Sequence, residues 1–168
     1  MLKKQDIVLL AKLLSSGITE MTYAELGKAL CMSPSEIHAA SARLMNVRLL
    51  SSDRMPIKES ALEFLIHGFK YVFPLEYRPR LIRGIPTATA APIAEGVFTK
   101  DTGPVPVWPS PTGSVRGQGV EPIYPSVVNV VEQDIGLYAV LALLDMIRMG
   151  KPREISWAEQ KLNEIIKQ

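Results

Sequence analysis

Apolar side chains recur with a helical period through the first 73 residues. They fall every three or four residues over 3–16, 23–30, 33–45 and 58–73, which predicts four helices. Gly17 is a natural end for the first helix, and Pro74 stops the last. After the third helix, Val47, Leu49 and Leu50 alternate with polar residues, and 55–57 follow a polar turn. This pattern predicts a very short two-stranded wing.

Two capping boxes mark the starts of the second and third helices. Thr22 is followed three residues later by Glu25, and Ser33 by Glu36, so that each pair can satisfy the free backbone N–H groups at a helix start. Pro34 suits the first position of the third helix. Only three residues separate the two helices, which predicts a helix-turn-helix whose second helix can enter a DNA major groove.

The segment 74–125 has a different composition. It holds ten of the thirteen prolines and six of the eleven glycines, which predicts neither a long helix nor a regular sheet. Its apolar and aromatic content is too high for a disordered linker. We therefore predict an extended, ordered strap that lies on another part of the protein, with a hairpin whose arms are 105–108 and 115–120.

The helical period returns after the strap. One or two helical turns are predicted over 126–133, and Asp134 can cap a helix that runs to Gly150. A final helix over 153–167 carries an apolar seam, so the two long helices should form an antiparallel hairpin. The predicted fold class is mainly α, with a winged helix-turn-helix domain (1–73), a Pro-rich extended strap (74–125) and a C-terminal helical hairpin (126–168).

The helix-turn-helix segment resembles the winged-helix DNA-binding regulators of the bacterial MarR-like kind. The matching positions are Thr22, Glu25, Leu26, Leu30, Met32, Ser33, Ser35, Ile37 and Leu44. Gly27 stands where alanine is usual, and Cys31 where glycine is usual. The resemblance covers about the first 73 residues and implies a winged fold that binds DNA. The run RGIPTATAAP resembles a small uncharacterised bacterial family that joins such a domain to a Pro-rich tail, and it implies no activity.

Composition narrows the classes of function. The net charge of +2 is too small for a nonspecific polycation, although the first two-thirds of the chain is the more basic part. A single cysteine, Cys31, excludes an internal disulfide and a multi-cysteine zinc site, fits a reducing cytoplasm, and is predicted to be a buried small hydrophobe. No apolar run approaches the roughly 20 residues of a membrane span, so no membrane partner is expected.

The third helix is the candidate reading element for DNA. Its outward positions should include Ser35, His38 and Arg43; His38 or Arg43 can donate to a guanine edge, and Ser35 can bind a phosphate at the helix start. The full candidate set is Lys28, Ser33, Ser35, His38, Arg43, Arg48 and Arg54. The helix is short of Arg, Asn and Gln, so packing or protein contact is the alternative, and Arg54 alone also fits a solvated turn.

The strap also holds a candidate secondary basic patch. Arg78, Arg80 and Arg83 interleave with Tyr77, which suits phosphate contact and base stacking. The favoured interpretation is that the neighbours Tyr77, Leu81 and Ile82 anchor the strap and the arginines pair with Glu76 or with the acidic C-terminal third.

Enzyme chemistry finds little support. His38 and His67, the two histidines, belong to no motif, and no nucleophile motif, metal motif or Gly-rich phosphate loop occurs. We expect no enzyme activity, no cofactor and no metal. The favoured function is a cytoplasmic, homodimeric, sequence-specific transcriptional regulator that binds double-stranded DNA.

Two other functions stay open. One is an antitoxin-like or adaptor subunit whose winged helix holds a protein partner. The other is a small-molecule-sensing regulator with a pocket between the strap aromatics Phe98, Trp108 and Tyr124 and the helices.

Overall fold

The computed structural model describes residues 1–17, 20–99 and 102–168. Its N-terminal part contains helices α1 (Lys4–Ser16), α2 (Tyr23–Leu30) and α3 (Pro34–Asn46). The prediction of these three helices is confirmed, and α1 ends at Gly17 in a left-handed conformation, as expected. Helix α3 packs against both α1 and α2.

Both predicted capping boxes are present. The Thr22 hydroxyl accepts from the backbone N–H of Glu25, the Ser33 hydroxyl accepts from that of Glu36, and each glutamate returns a bond to its cap. The turn between α2 and α3 places Cys31 at φ 52°, the left-handed region that favours glycine. This cysteine is exposed, so the prediction that it is buried is wrong.

The predicted wing is reduced to a single bridge. Leu50 pairs with Pro56 in one isolated antiparallel contact, and the backbone N–H of Ser51 donates to Met55 over 2.8 Å. No strand forms over 47–50 or 55–57. The backbone N–H of Ile57 also donates to Leu49 at 3.0 Å, so Pro56 lies between two cross-strand bonds at a position where its missing N–H is not required.

The fourth predicted helix is continuous but irregular. It consists of α4 (Lys58–Glu63), a π-helical turn (Phe64–Gly68) and α5 (Phe69–Val72). In the π-helical turn the backbone N–H of Phe69 donates to the carbonyl of Phe64, one residue further back than in an α-helix.

A small sheet lies where no regular sheet was expected. Its strands are β1 (Tyr77–Pro86), β2 (Pro106–Pro109) and β3 (Val115–Val120), and each pairs with both others, so the sheet closes on itself. β1 is antiparallel to β2 and to β3, whereas β2 and β3 are parallel. The two predicted hairpin arms do form strands, but the prediction that they pair as a hairpin is wrong. With 57% helix and this sheet, the fold is mixed α/β rather than mainly α.

The prolines and glycines of this segment, which made a sheet unexpected, lie at positions that a sheet can accommodate. Pro86, Pro106 and Pro109 lie at strand ends, and Pro79 lies in the irregular step between Tyr77, which pairs with Val120, and Leu81, which pairs with Gln118. Glycines permit close backbone approach: a Cβ on Gly84 or Gly117 would overlap a carbonyl oxygen of the neighbouring strand. Composition alone therefore misled the prediction for this segment.

The C-terminal part follows the prediction. After α6 (Val127–Val130) and a 3-10 turn (Val131–Gln133) come α7 (Ile135–Met149) and α8 (Pro152–Lys167). Asp134 caps α7 by accepting from the backbone N–H of Leu137 at 3.0 Å. Only Gly150 and Lys151 separate α7 from α8, and the two helices pack on each other.

Helix α7 is the centre of the hydrophobic core. Ten of its fifteen residues are buried, and it contacts α1, α5, α8 and the 3-10 turns that follow β1. One continuous cluster of buried side chains extends from α1 through the sheet to α8. In the described part of the chain, no helix has both the length and the apolar content to cross a membrane.

Two charged side chains of α7 lie inside this core. Asp145 and Arg148 form an ion pair at 2.6 Å, with 4% and 3% of their side chains exposed. Asp145 also accepts from the Thr87 hydroxyl and from Trp108 Nε1, both at 2.8 Å. Arg148 donates to the backbone carbonyl of Phe73 at 3.3 Å. The pair thus fastens the sheet and the end of α5 to α7.

Tyr138 provides a second link between α7 and the sheet. Its hydroxyl donates to the carbonyl of Pro86 at the end of β1. Burial, and to a lesser extent the charge of Glu132, raises the pKa of Tyr138 to about 12. The phenol therefore remains a hydrogen-bond donor well into alkaline solution.

Substitution of Asp145 should be strongly destabilising. Asp145→Ala leaves the buried Arg148 without its counter-ion, so we expect the free energy of unfolding to fall by about 3–5 kcal/mol. Chemical denaturation measures this change. Glu59→Ala removes an exposed carboxylate and should change stability by less than about 0.5 kcal/mol. Equal effects of the two substitutions would contradict the importance of the buried pair.

Candidate nucleic-acid interface

One face of α3 is open to solvent. Ser35, His38 and Ala42 are exposed and lie three or four residues apart, so they share one side of the helix. Neither the strap nor the C-terminal helices bury them. Ile37, Ala40 and Leu44 form the opposite, fully buried side. The outward face is therefore accessible to a partner.

Arg43 does not belong to this open face. Its Nε and Nη2 atoms donate to the two carboxylate oxygens of Asp6 at 2.8 and 2.7 Å. Asp6 is completely buried in α1, and its hydrogen bond is the main reason that the pKa of Arg43 is raised. Arg43 was predicted to reach a base edge, but the structure uses it to hold α3 against α1.

The start of α3 is also occupied. Ser33 Oγ takes part in the capping box and lies 3.1 Å from Ser35 Oγ. The hydrogen bonds from the backbone and side chain of Ser33 hold the pKa of Glu36 below its ordinary value, so a carboxylate lies in the first turn. Tyr124 of the strap donates to the same carboxylate at 3.2 Å. This negative charge opposes the phosphate contact predicted for Ser35.

Tyr23 of α2 contacts both α3 and the turn that follows it. The Tyr23 ring meets His38 edge to face at a centroid distance of 5.3 Å, and the Arg54 guanidinium lies 4.8 Å from the same centroid. The sequence prediction included His38 and Arg54 but missed Tyr23. These residues are far apart along the chain, and no periodicity or motif connects them.

Two predicted cations remain unpaired. Lys28 on α2 and Arg48, two residues after the end of α3, are exposed, and within the described residues neither side chain takes part in a hydrogen bond or an ion pair. Both are free to meet an anionic partner beside α3. Of the seven predicted DNA-binding residues, these two are the ones that have no competing role in the protein.

The predicted secondary patch is only partly free. Arg78 pairs with Glu121, and Arg83 Nη1 donates to the carbonyl of Gly113 at 3.2 Å. Arg80 is exposed and has no partner among the described residues. Arg78 is therefore paired with a carboxylate of the acidic C-terminal third, as the structural interpretation of this segment expects.

The strap aromatics do not form a common pocket. Trp108 is buried and bonded to Asp145, Phe98 packs edge to face on Trp157, and Tyr124 contacts Glu36. The pocket expected for a small-molecule sensor is not built from these three residues. Within residues 1–17, 20–99 and 102–168, no three His, Cys, Asp or Glu side chains are grouped so that they could hold a metal ion.

Comparisons with protein-family models, with curated proteins and with solved structures found no match. The function of the chain must therefore be argued from its own residues.

Arg43 should behave as a structural residue. Arg43→Ala leaves the buried Asp6 carboxylate without its main partner, and we expect the free energy of unfolding to fall by about 2–3 kcal/mol. Arg48→Ala removes an unpaired arginine five residues away and should have an effect below about 0.5 kcal/mol. Thermal or chemical denaturation compares the two, and a stable Arg43→Ala protein would contradict the assignment.

Proposed function

We propose that the chain is a homodimeric, sequence-specific transcriptional regulator that binds double-stranded DNA through the outward face of α3. In this proposal, α1–α3 and the bridged turn after α3 act as a winged helix-turn-helix. The observation that carries the proposal is an uncovered helix face flanked by two unpaired cations, Lys28 and Arg48. DNA affinity rests largely on such contacts with phosphates.

The residues proposed to contact bases differ from those expected from the sequence. With Arg43 held by Asp6, His38 is one of the exposed side chains of α3 that can still donate to a base edge. Tyr23 holds both His38 and Arg54 at the same side of the motif. A single imidazole gives modest discrimination, so two copies of α3 on a palindromic site would have to add their effects.

Loss of the two unpaired cations should weaken DNA binding and its dependence on salt. For Lys28→Gln together with Arg48→Gln, we expect the slope of log affinity against log salt to decrease by about two, because two phosphate contacts are lost. Fluorescence anisotropy with the gene's own upstream duplex measures this slope. Arg153→Gln together with Lys167→Gln removes the same charge from α8 and should leave the slope unchanged. No salt-sensitive binding by the wild-type protein would refute the proposal.

Protein contact is the second candidate, and one surface favours it. Along the outer side of α4–α5, Tyr71 is 77% exposed and Val72 is 52% exposed. Beside α4, an open groove of about 540 Å³ is lined both by apolar residues (Leu2, Val47, Leu49, Phe64) and by polar or charged ones (Arg48, Ser60, Glu63, His67). An exposed apolar surface of this kind suits a second copy of the chain or another protein.

The oligomeric state tests this surface. If the homodimer forms there, Tyr71→Ser together with Val72→Ser should weaken self-association at least tenfold without lowering the melting temperature of the monomer. Sedimentation velocity at several protein concentrations measures the association. The exposed Ile135 on α7 offers a matched control, Ile135→Ser, that should leave it unchanged. A monomeric wild-type protein that still binds DNA would remove the homodimer from the proposal.

A further inference from the structure

The ribbon formed by β1 and β3 carries an unusual charge pattern. Arg83 and Arg116 occupy directly opposite positions in this antiparallel pair, and both are exposed. Like charges at opposite positions of neighbouring strands destabilise a sheet. The fold therefore keeps two positive charges together where neutral residues would be more stable.

Among the residues that the structure describes, no acidic side chain is bonded to either member of this pair. The three strands contain four arginines and no aspartate or glutamate. The nearby Glu121 is already paired with Arg78. Within the described residues, the side chain of Arg116 has no hydrogen-bond or ion-pair partner, and the same is true of the Arg80 side chain. The one structural bond made by the side chains of this pair is the one that Arg83 donates to the carbonyl of Gly113.

The surroundings of the arginines suit an extended ligand. Tyr77 and Leu81 on β1 are 55% and 47% exposed, so apolar and aromatic surface lies along the same ribbon. Exposed side chains on a strand meet a partner that lies across them, whereas a small phosphorylated molecule is usually enclosed in a cavity. A chain of phosphates with stacked bases combines the charge and the apolar surface that this ribbon complements.

We propose that the outer face of the β1–β3 ribbon binds the phosphodiester backbone of nucleic acid, with Arg83 and Arg116 as the central contacts. The proposal shares its class of partner with the function assigned to α3, but it shares none of its residues.

Paired variants separate the ribbon from α3. In Arg83→Gln together with Arg116→Gln, the salt slope measured by anisotropy should decrease by about two relative to the wild type. Labelled duplex and single-stranded DNA of equal length are the probes, and the form that loses more affinity is the one the ribbon binds. Arg153→Gln with Lys167→Gln is the control for net charge. An unchanged slope on both probes overturns the proposal.

The α3 variant distinguishes the two claims. If Lys28→Gln with Arg48→Gln has no effect while the ribbon variant binds weakly, the ribbon proposal stands and the function assigned to α3 fails. The reverse result overturns the ribbon proposal alone. If the wild-type protein binds neither probe, both fail.

Stability provides a second readout. Arg116→Gln removes one of two like charges, so its melting temperature at low salt should equal or exceed that of the wild type. An arginine with a purely structural role would instead give a lower melting temperature together with unchanged binding, and that combination also overturns the proposal.

Discussion

The buried pair of Asp145 and Arg148 is the interaction on which the arrangement of the sheet depends. Two charges in a core are stable only when nearly all of their hydrogen-bonding groups are satisfied. Here the partners come from separate parts of the chain: Thr87 after β1, Trp108 in β2, and the backbone at the end of α5. Apolar packing alone would allow the sheet to shift on α7, whereas these directional bonds define one position. The pair therefore serves specificity of the fold more than its net stability.

Asp6 and Arg43 use the same device at the other end of the protein. The buried carboxylate of Asp6 in α1 accepts two hydrogen bonds from Arg43 in α3, and these bonds hold α3 against α1. This arrangement uses the one arginine that α3 contains. In the proposed DNA complex, arginine contacts with phosphates must then come from outside the helix, whereas α3 itself offers side chains such as His38.

Most of the helices were predictable from local sequence signals, whereas contacts between residues far apart in the sequence were not. Capping boxes at Thr22 and Ser33 and the cap at Asp134 are properties of a few adjacent residues, and they were predicted correctly. The closed sheet was missed because prolines and glycines argue against strands, although here they occupy strand ends and points of close approach. The partners of Arg43 and the role of Tyr23 depend on residues far away in sequence. Two charges inside the otherwise apolar α7 were the one visible sign of a buried pair.

The arginines of this protein fall into two groups: those paired with buried carboxylates and those whose side chains are exposed and unpaired. Arg43 and Arg148 satisfy buried carboxylates, which places them in the framework of the fold. Arg48 and Arg116 are exposed and unpaired within the described residues, and an isolated surface charge contributes little to stability. Arg116 even faces another arginine, which stability alone would disfavour. These exposed, unpaired arginines are the charges on which the proposed contacts with nucleic acid depend.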